Sequence, residues 1–214
     1  MAATASPEIT MAEAVRRCGG VPWSRIRLHP YPATEADVDA IRRREGRRFE
    51  LIDGILLEKD MGFQEGYLAA ALIQFLREFV VPRKLGAVNG ADGMMRLAAG
   101  LVRIPDVSFC RWDQFPNRQI QPTPVPNLHP DLAVEVLSGG NTVAEMDEKL
   151  RDYFASGATL VWLVDPADRT VLVFTSPDRR AARRLTVADT LDGGSLLPGF
   201  ALPVRTLFAE LDPH

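Results

Sequence analysis

The chain has 214 residues, 46% of them hydrophobic and 25% charged, the composition of an ordinary globular protein of one domain with an extension. Its net charge of −3 carries no global basic signature of a nucleic-acid binder. Two cysteines, Cys18 and Cys110, exclude a disulfide framework, and three scattered histidines with no HxH, HExxH or CxxC spacing argue against a zinc enzyme.

The opening MAATASPEITMAEAVRRCGG is small and polar before it turns weakly helical. It lacks the apolar core of a signal peptide, and no apolar run approaches the roughly 20 residues that span a bilayer. The expectation is a loose tail on a cytoplasmic protein with no membrane part. Trp23 to Pro32, with two prolines and a histidine, reads as an ordered but irregular lead-in. Thr34 can cap a helix running to Glu45, and Glu35 and Asp37 suit the positive end of its dipole. Residues 1–47 are therefore read as an N-terminal extension, a loose tail plus a short helix, and residues 48–214 as the main domain.

That domain begins with Arg48 to Glu58, two β-rich runs flanking Asp53-Gly54, the strongest short hairpin signal in the chain. Glu65 to Val80 is apolar nearly all round, which predicts a buried helix on a sheet, ending before Pro82. Strand-like pieces follow at Leu85 to Asn89, Met94 to Ala98 and Leu101 to Cys110. Trp112 to Pro130 carries five prolines and reads as a long functional or mobile loop. Asp131 to Leu137 is a buried strand interrupted by one acid. Thr142 and Glu145 predict a capping box opening a helix that Gly157 closes. Leu160 to Val164 and Val171 to Phe174 are further strands, and Asp165-Pro166 between them is a turn. The remainder reads as turns and a final edge element. The alternation predicts an α/β fold, mixed α+β, with a central mixed sheet flanked by helices.

Positive charge is clumped at Arg42, Arg43, Arg44, Arg47 and Arg48 and again at Arg179, Arg180, Arg183 and Arg184. Arginine forks suit phosphate oxygens, although such runs are commonly just solvated faces. Only Lys59, Lys84 and Lys149 are lysines, so a lysine at a chemically apt place is informative here.

Asp106 and Glu135 are each the sole acid in a strand otherwise made of Val, Ile, Leu and Ala, an expensive placement without compensation. Two carboxylates on adjacent strands would form the hard oxygen site that Mg²⁺ prefers; each could instead pair with an arginine. Met146, Leu150 and Tyr153 mark the buried stripe of the following helix, and Lys149 lies about 40° round from Tyr153. Its ammonium can lean over the sheet toward Glu135, or it can be a surface lysine. Glu50, in the first strand of the hairpin, is either a cross-strand partner for an arginine or a further member of this group.

RFELIDG, IPDVSF, DLAVEVLS, the helix with Asp147, Lys149 and Tyr153, and GATLVWLVDP together resemble the Uma-two family of restriction endonucleases, within the PD-(D/E)XK, or restriction-endonuclease-like, superfamily. The resemblance covers roughly residues 48 to 175. It implies a restriction-endonuclease-like core and a metal-dependent endonuclease acting on nucleic acid, DNA first. It also implies Mg²⁺ held near Asp106 and Glu135, which match the family's PD and D/E elements. The expected catalytic set is Asp106, Glu135, Lys149 and Glu50. The metal (Mg²⁺ or Mn²⁺) is expected to be held by Asp106, Glu135 and the backbone carbonyl of Val136, with Glu50 completing its shell through water. Two departures are visible. The usual lysine position, two after Glu135, is Leu137, which moves that role to Lys149. Many relatives have a histidine at the start of the buried helix, where this chain has Gln64-Glu65. Double-strand cleavage calls for two sites, so a homodimer is expected. The rivals are a catalytically inert module of the same fold that binds DNA or a protein partner, and a metal-dependent hydrolase of some other substrate.

Overall fold

A computed structural model describes residues 8–212. Residues 1–7 of the expected tail and His214 lie outside the described residues. Of the rest of that tail, Met11–Arg17 is a helix, α1, because the Thr10 hydroxyl accepts the Glu13 N–H and Ala14 turns inward. Ala14, Cys18 and Val21 share a small core with Ile26, Ile52, Ile55 and Leu57, contacts too distant in sequence to be read from the segment itself.

The lead-in contributes β1 (Ile26–Arg27), and α2 (Glu35–Glu45) starts at Thr34, whose side chain and that of Asp37 cap each other's backbone N–H groups. The hairpin is β2 (Phe49–Ile52) and β3 (Ile55–Glu58). Asp53 and Gly54 both have positive φ, 46° and 81°, the pair of left-handed residues that lets a two-residue turn match the twist of its strands. Helix α3 (Phe63–Val80) follows, then β4 (Gly86–Gly90), β5 (Met95–Ala98), β6 (Leu101–Arg103) and β7 (Val107–Arg111). The predicted single strand over 101–110 is thus two strands. Pro105 lacks the N–H a ladder needs, and the two parts enter different sheets. The proline-rich stretch from Trp112 holds only two short 3₁₀ turns before β8 (Leu132–Val136). Helix α4 (Val143–Ser156), β9 (Leu160–Asp165), β10 (Thr170–Phe174), β11 (Arg183–Leu185), β12 (Thr190–Gly193), β13 (Leu197–Pro203) and α5 (Val204–Ala209) complete the chain.

The strands form a six-stranded sheet in the order β11-β10-β9-β8-β7-β4, a five-stranded sheet β1-β3-β2-β6-β5 and the pair β12-β13. Only β8 and β9 run parallel, joined by α4 as the crossover that a parallel pair requires. The fold class is the expected mixed α/β one. The six-stranded sheet is the expected central mixed sheet, a second sheet stands beside it, and the tail is more than an edge element. Phe200, Leu202, Val204, Leu207 and Phe208 close the main core from the C-terminus.

Period-two alternation sorts the six-stranded sheet into two faces. Leu132, Val134 and Val136 of β8, with Leu160, Trp162 and Val164 of β9, join Leu68, Leu72 and Leu76 of α3 in one core. Ala133, Val161 and Leu163 face the other way, onto Met146, Leu150 and Tyr153 of α4. Helix α3 buries this one stripe and exposes Phe63 and Tyr67 at its start. It is not enclosed all round, because only one face meets a sheet.

The start of α4 is tied to the N-terminal segment. The Thr142 hydroxyl accepts the Glu145 N–H at 3.0 Å and donates to the Gly19 carbonyl at 2.6 Å. A side chain at Gly19 would run into the Glu145 backbone at 2.5 Å, so this approach needs a glycine. The predicted box is only half formed, because the Glu145 carboxylate turns away to a buried Arg25, with contacts of 2.9 and 3.1 Å, and to Asn141.

Candidate active site

The alternation that buries Val134 and Val136 toward α3 turns Glu135 toward α4. Lys149, one turn before Tyr153 on α4, meets it there. Its ammonium donates to Glu135 Oε2 at 2.9 Å, and the Tyr153 hydroxyl donates to Glu135 Oε1 at 2.5 Å. Lys149 is 2% exposed, which overturns the surface-lysine alternative.

Asp106 lies one residue before β7, at the break that Pro105 makes, and not within a strand. Since Val107 pairs with Val134, this break sets the Asp106 carboxylate beside the end of β8. The Val136 N–H donates to Asp106 Oδ2 at 2.7 Å. The residue whose carbonyl is expected to face a metal thus orients a carboxylate through its own N–H.

Glu50 pairs with an arginine and also lies beside Lys149. Its Oε2 accepts from Arg103 at 2.8 Å, its Oε1 accepts the Ile104 N–H at 3.0 Å, and the Lys149 ammonium is 3.6 Å from Oε1. Arg103 also reaches Asp152 of α4. Asp106, Glu135, Lys149 and Glu50, separated by up to 99 positions in the chain, thus converge at one buried cluster. Asp165, by contrast, accepts the Ala167 and Asp168 N–H groups and closes its own turn, as expected.

Sequence reasoning missed Lys59. It follows β3 directly, and its ammonium sits 2.7 Å from Asp106 Oδ1 and 3.1 Å from Glu135 Oε2. The available signal was its type, one of three lysines in an arginine-rich chain, placed just past a buried strand. The sequence reading gives no site role to Tyr153, legible as core and as part of the motif helix, or to Arg103, legible only as a residue of a predicted strand.

The electrostatics follow from burial set against like and unlike charge. Burial raises the Asp106 carboxyl and nearby Glu135 adds to the rise, with Lys59 pulling against both. Burial also works against the Glu135 carboxylate, but Lys149 and Lys59 outweigh it and hold Glu135 low. Glu50 likewise resists burial through Lys149, Arg103 and Lys59, which bring it down to about 2. Burial works against the charged form of Lys59, but Glu135, Asp106 and Glu50 more than reverse this and hold it above the usual lysine range. The Tyr153 hydroxyl is pushed well up by burial and by Glu135, so it stays a donor.

No group of three or more His, Cys, Asp or Glu is placed to hold a metal among the described residues. Mg²⁺ commonly takes one or two carboxylates and completes its shell with water and phosphate, and Asp106 with Glu135 supplies that pair. Asp106 Oδ1 is buried and accepts no hydrogen bond; its contact with Lys59 is an ion pair without hydrogen-bond geometry. An oxygen in that state fits a divalent ion, provided the ammonium beside it can leave.

A mixed sheet with a parallel βαβ crossover, carrying a carboxylate–lysine cluster at the strand ends, makes this an α/β protein with a buried charged site. The chain belongs to the Uma2 family, described as "Putative restriction endonuclease", whose profile matches residues 36–205. No curated protein matches it. Among solved structures it is similar to a protein from Anabaena variabilis ATCC 29413 described as a putative nuclease belonging to DUF820. The two share 18% identity with a TM-score of 0.68, over 95% of this chain and 99% of that one. That likeness shows the fold. No helix among the described residues is long and apolar enough to cross a membrane.

Proposed function

We propose that the chain is a divalent-metal-dependent endonuclease that hydrolyses phosphodiester bonds, with DNA as its substrate. The observation that carries this reading is the convergence of Asp106, Glu135, Lys149 and Glu50, from three strand regions and a helix, at one buried point. Asp106 and Glu135, with the backbone of Val136 alongside, are the residues that would hold Mg²⁺ or Mn²⁺. A bound ion of this kind polarises the phosphodiester and lowers the pKa of attacking water.

The chain's own residues divide the remaining work. Tyr153 and Lys149 fix the two oxygens of Glu135. The Val136 N–H fixes one oxygen of Asp106. The Lys149 ammonium, buried and never paired with one carboxylate alone, offsets negative charge that builds up at phosphorus. Arg103 and the Ile104 N–H hold Glu50 ionised behind it. A histidine at the start of α3 is absent, so no proton step is assigned to Gln64 or Glu65. Cutting both strands of a duplex needs two such sites, which a two-fold homodimer provides; a monomer mass by light scattering at micromolar concentration would remove that part.

The inert-module reading draws on one observation, the Lys59 ammonium seated between the two carboxylates. The deciding experiment is cleavage of supercoiled plasmid and single-stranded DNA with Mg²⁺ or Mn²⁺, beside Asp106→Ala and Lys149→Ala. Nicking by the parent, reduced at least about a hundredfold in both variants, supports the endonuclease. A folded parent that cuts neither substrate with either ion sinks it in favour of the inert module.

A further inference from the structure

Four carboxylates, Glu50, Asp106, Glu135 and Asp152, meet three cations, Lys59, Lys149 and Arg103, in the buried cluster. The three cations are held differently. Lys149 projects from the middle of α4, and Arg103 is clamped by Glu50 and Asp152. Lys59 stands just outside β3, on the short connection to α3. Its backbone N–H is held by the Arg48 carbonyl at 3.0 Å, and the residues after it are Asp60, exposed, Met61, and Gly62 to Gln64, exposed. Its ammonium is the one cation that touches both Asp106 and Glu135.

The other oxygens of those two acids are already committed, Asp106 Oδ2 to the Val136 N–H and Glu135 Oε1 to Tyr153. What remains for a bridging cation is the pair of oxygens that Lys59 now contacts, Asp106 Oδ1 and Glu135 Oε2, the second of which Lys149 also reaches from its other side. The bridging place between them cannot hold the Lys59 ammonium and a divalent ion at once. Charge favours the exchange, since the cluster with Lys59 in place keeps one unit of negative charge, whereas a divalent ion in its stead makes it neutral. A buried cluster resists net charge of either sign.

We propose that Lys59 is a built-in counter-cation that keeps the place of the divalent ion between Asp106 and Glu135 in the metal-free chain, and that metal loading expels its ammonium toward the exposed 60–62 connection and the start of α3. This rests on the metal-dependent reading above and adds a regulation of that site: metal binds by exchange against an internal cation. It also explains how three buried acids tolerate the apo state, and it supplies a lysine able to meet substrate phosphate only once metal is present.

Two measurements on the full chain test it, neither of which reads activity. The first is Mn²⁺ binding, followed by the electron paramagnetic resonance of the free ion, for the parent, Lys59→Met and Lys59→Met/Asp106→Asn. Met retains the stem and removes the competing charge. Lys59→Met is expected to bind about tenfold more tightly or better, the scale of one unit charge at close range in a protein, and the double variant to lose the gain. The second needs no variant: acetylation of the parent by an amine-reactive reagent, read at each lysine by mass spectrometry, with exposed Lys84 as reference. Lys59 is expected to be protected without Mn²⁺ and labelled several-fold faster with it, while Lys149 stays protected. Binding by Lys59→Met no tighter than the parent's, or Lys59 labelling indifferent to a bound ion, overturns the exchange and leaves the metal site standing. No Mn²⁺ binding by the parent or by folded Lys59→Met overturns the metal-dependent reading itself, and the exchange with it.

Discussion

The β7–β8 pair carries a buried acid at each end, and the two ends are built on different principles. At one end Asp131, fully buried, accepts the Arg111 N–H and the Gln114 amide at 2.7 Å each, and the Arg111 guanidinium lies 2.9 Å from its other oxygen. One charge meets one exposed guanidinium, a backbone donor and a side-chain amide, all from its own neighbourhood; its Oδ1, like that of Asp106, has an ion pair without a hydrogen bond. At the other end Asp106 and Glu135 sit together with Glu50 behind them, and two lysines are drawn in to compensate. A buried acid with its own donors is architecture. Acids crowded until they need imported cations are a place where another cation can compete. The exposed arginine clumps make the same point from the surface, since Arg42 and Arg43 pair with Asp39, Arg44 with Glu45, Arg47 with Glu58, and Arg183 with Asp192. Charge runs that look suited to phosphate are largely spent on neighbouring carboxylates.

The strongest way to break this contrast is Glu135→Gln. It leaves two buried ammoniums facing an amide, so the expected loss is about 3–5 kcal/mol of stability, the cost of orphaning a buried charge, together with Mn²⁺ binding. Urea unfolding and metal titration read both; a variant as stable as the parent that still binds Mn²⁺ would dissolve the distinction drawn between the two ends. Asp131→Asn probes the other end. It should cost about 1–3 kcal/mol through weakened hydrogen bonds while Mn²⁺ affinity and DNA cleavage stay at parental levels, and a loss of metal binding there would show that the ends are coupled.

The smallest effect concerns the thiols, one of which borders Asp131. Burial, with the Asp131 charge, pushes Cys110 up to about 12, and burial pushes Cys18 up to about 11. Unfolded thiols ionise near ~8.5. The fold therefore favours the protonated form: its contribution is complete below pH ~8.5 and is lost as pH rises through that value toward the folded ones. Iodoacetamide at pH 8 should label the native chain slowly and the urea-unfolded chain fast. Rapid native labelling of Cys110 would mean that the Asp131 end is open.

Much of this was legible in the order of residues. The Asp53-Gly54 hairpin, the Thr142 cap with Gly157 closing α4, and the apolar run around Glu135 are local signals, and they bring Lys149 to Glu135 through helix and strand periodicity alone. The division of the 101–110 segment at Pro105, the closing role of β13 and α5, and the meeting of Arg103 with Glu50 depend on which strands become neighbours, which no local pattern states. Lys59 was the hardest to see, because a lysine after a strand has no partner in its own segment; its partners are 47 and 76 residues downstream.

The Arg25–Glu145 contact carries a practical consequence. The span shared with the family begins at residue 36, so a version trimmed to that span would discard Arg25 while keeping Glu145, 1% exposed, at the first turn of the helix that bears Lys149. It would also strip β1 from the outer edge of β3, the strand that Lys59 follows. Shared ancestry and mechanical self-sufficiency have different borders here: the trimmed protein would keep every residue of the cluster and lose the bracket that aims them.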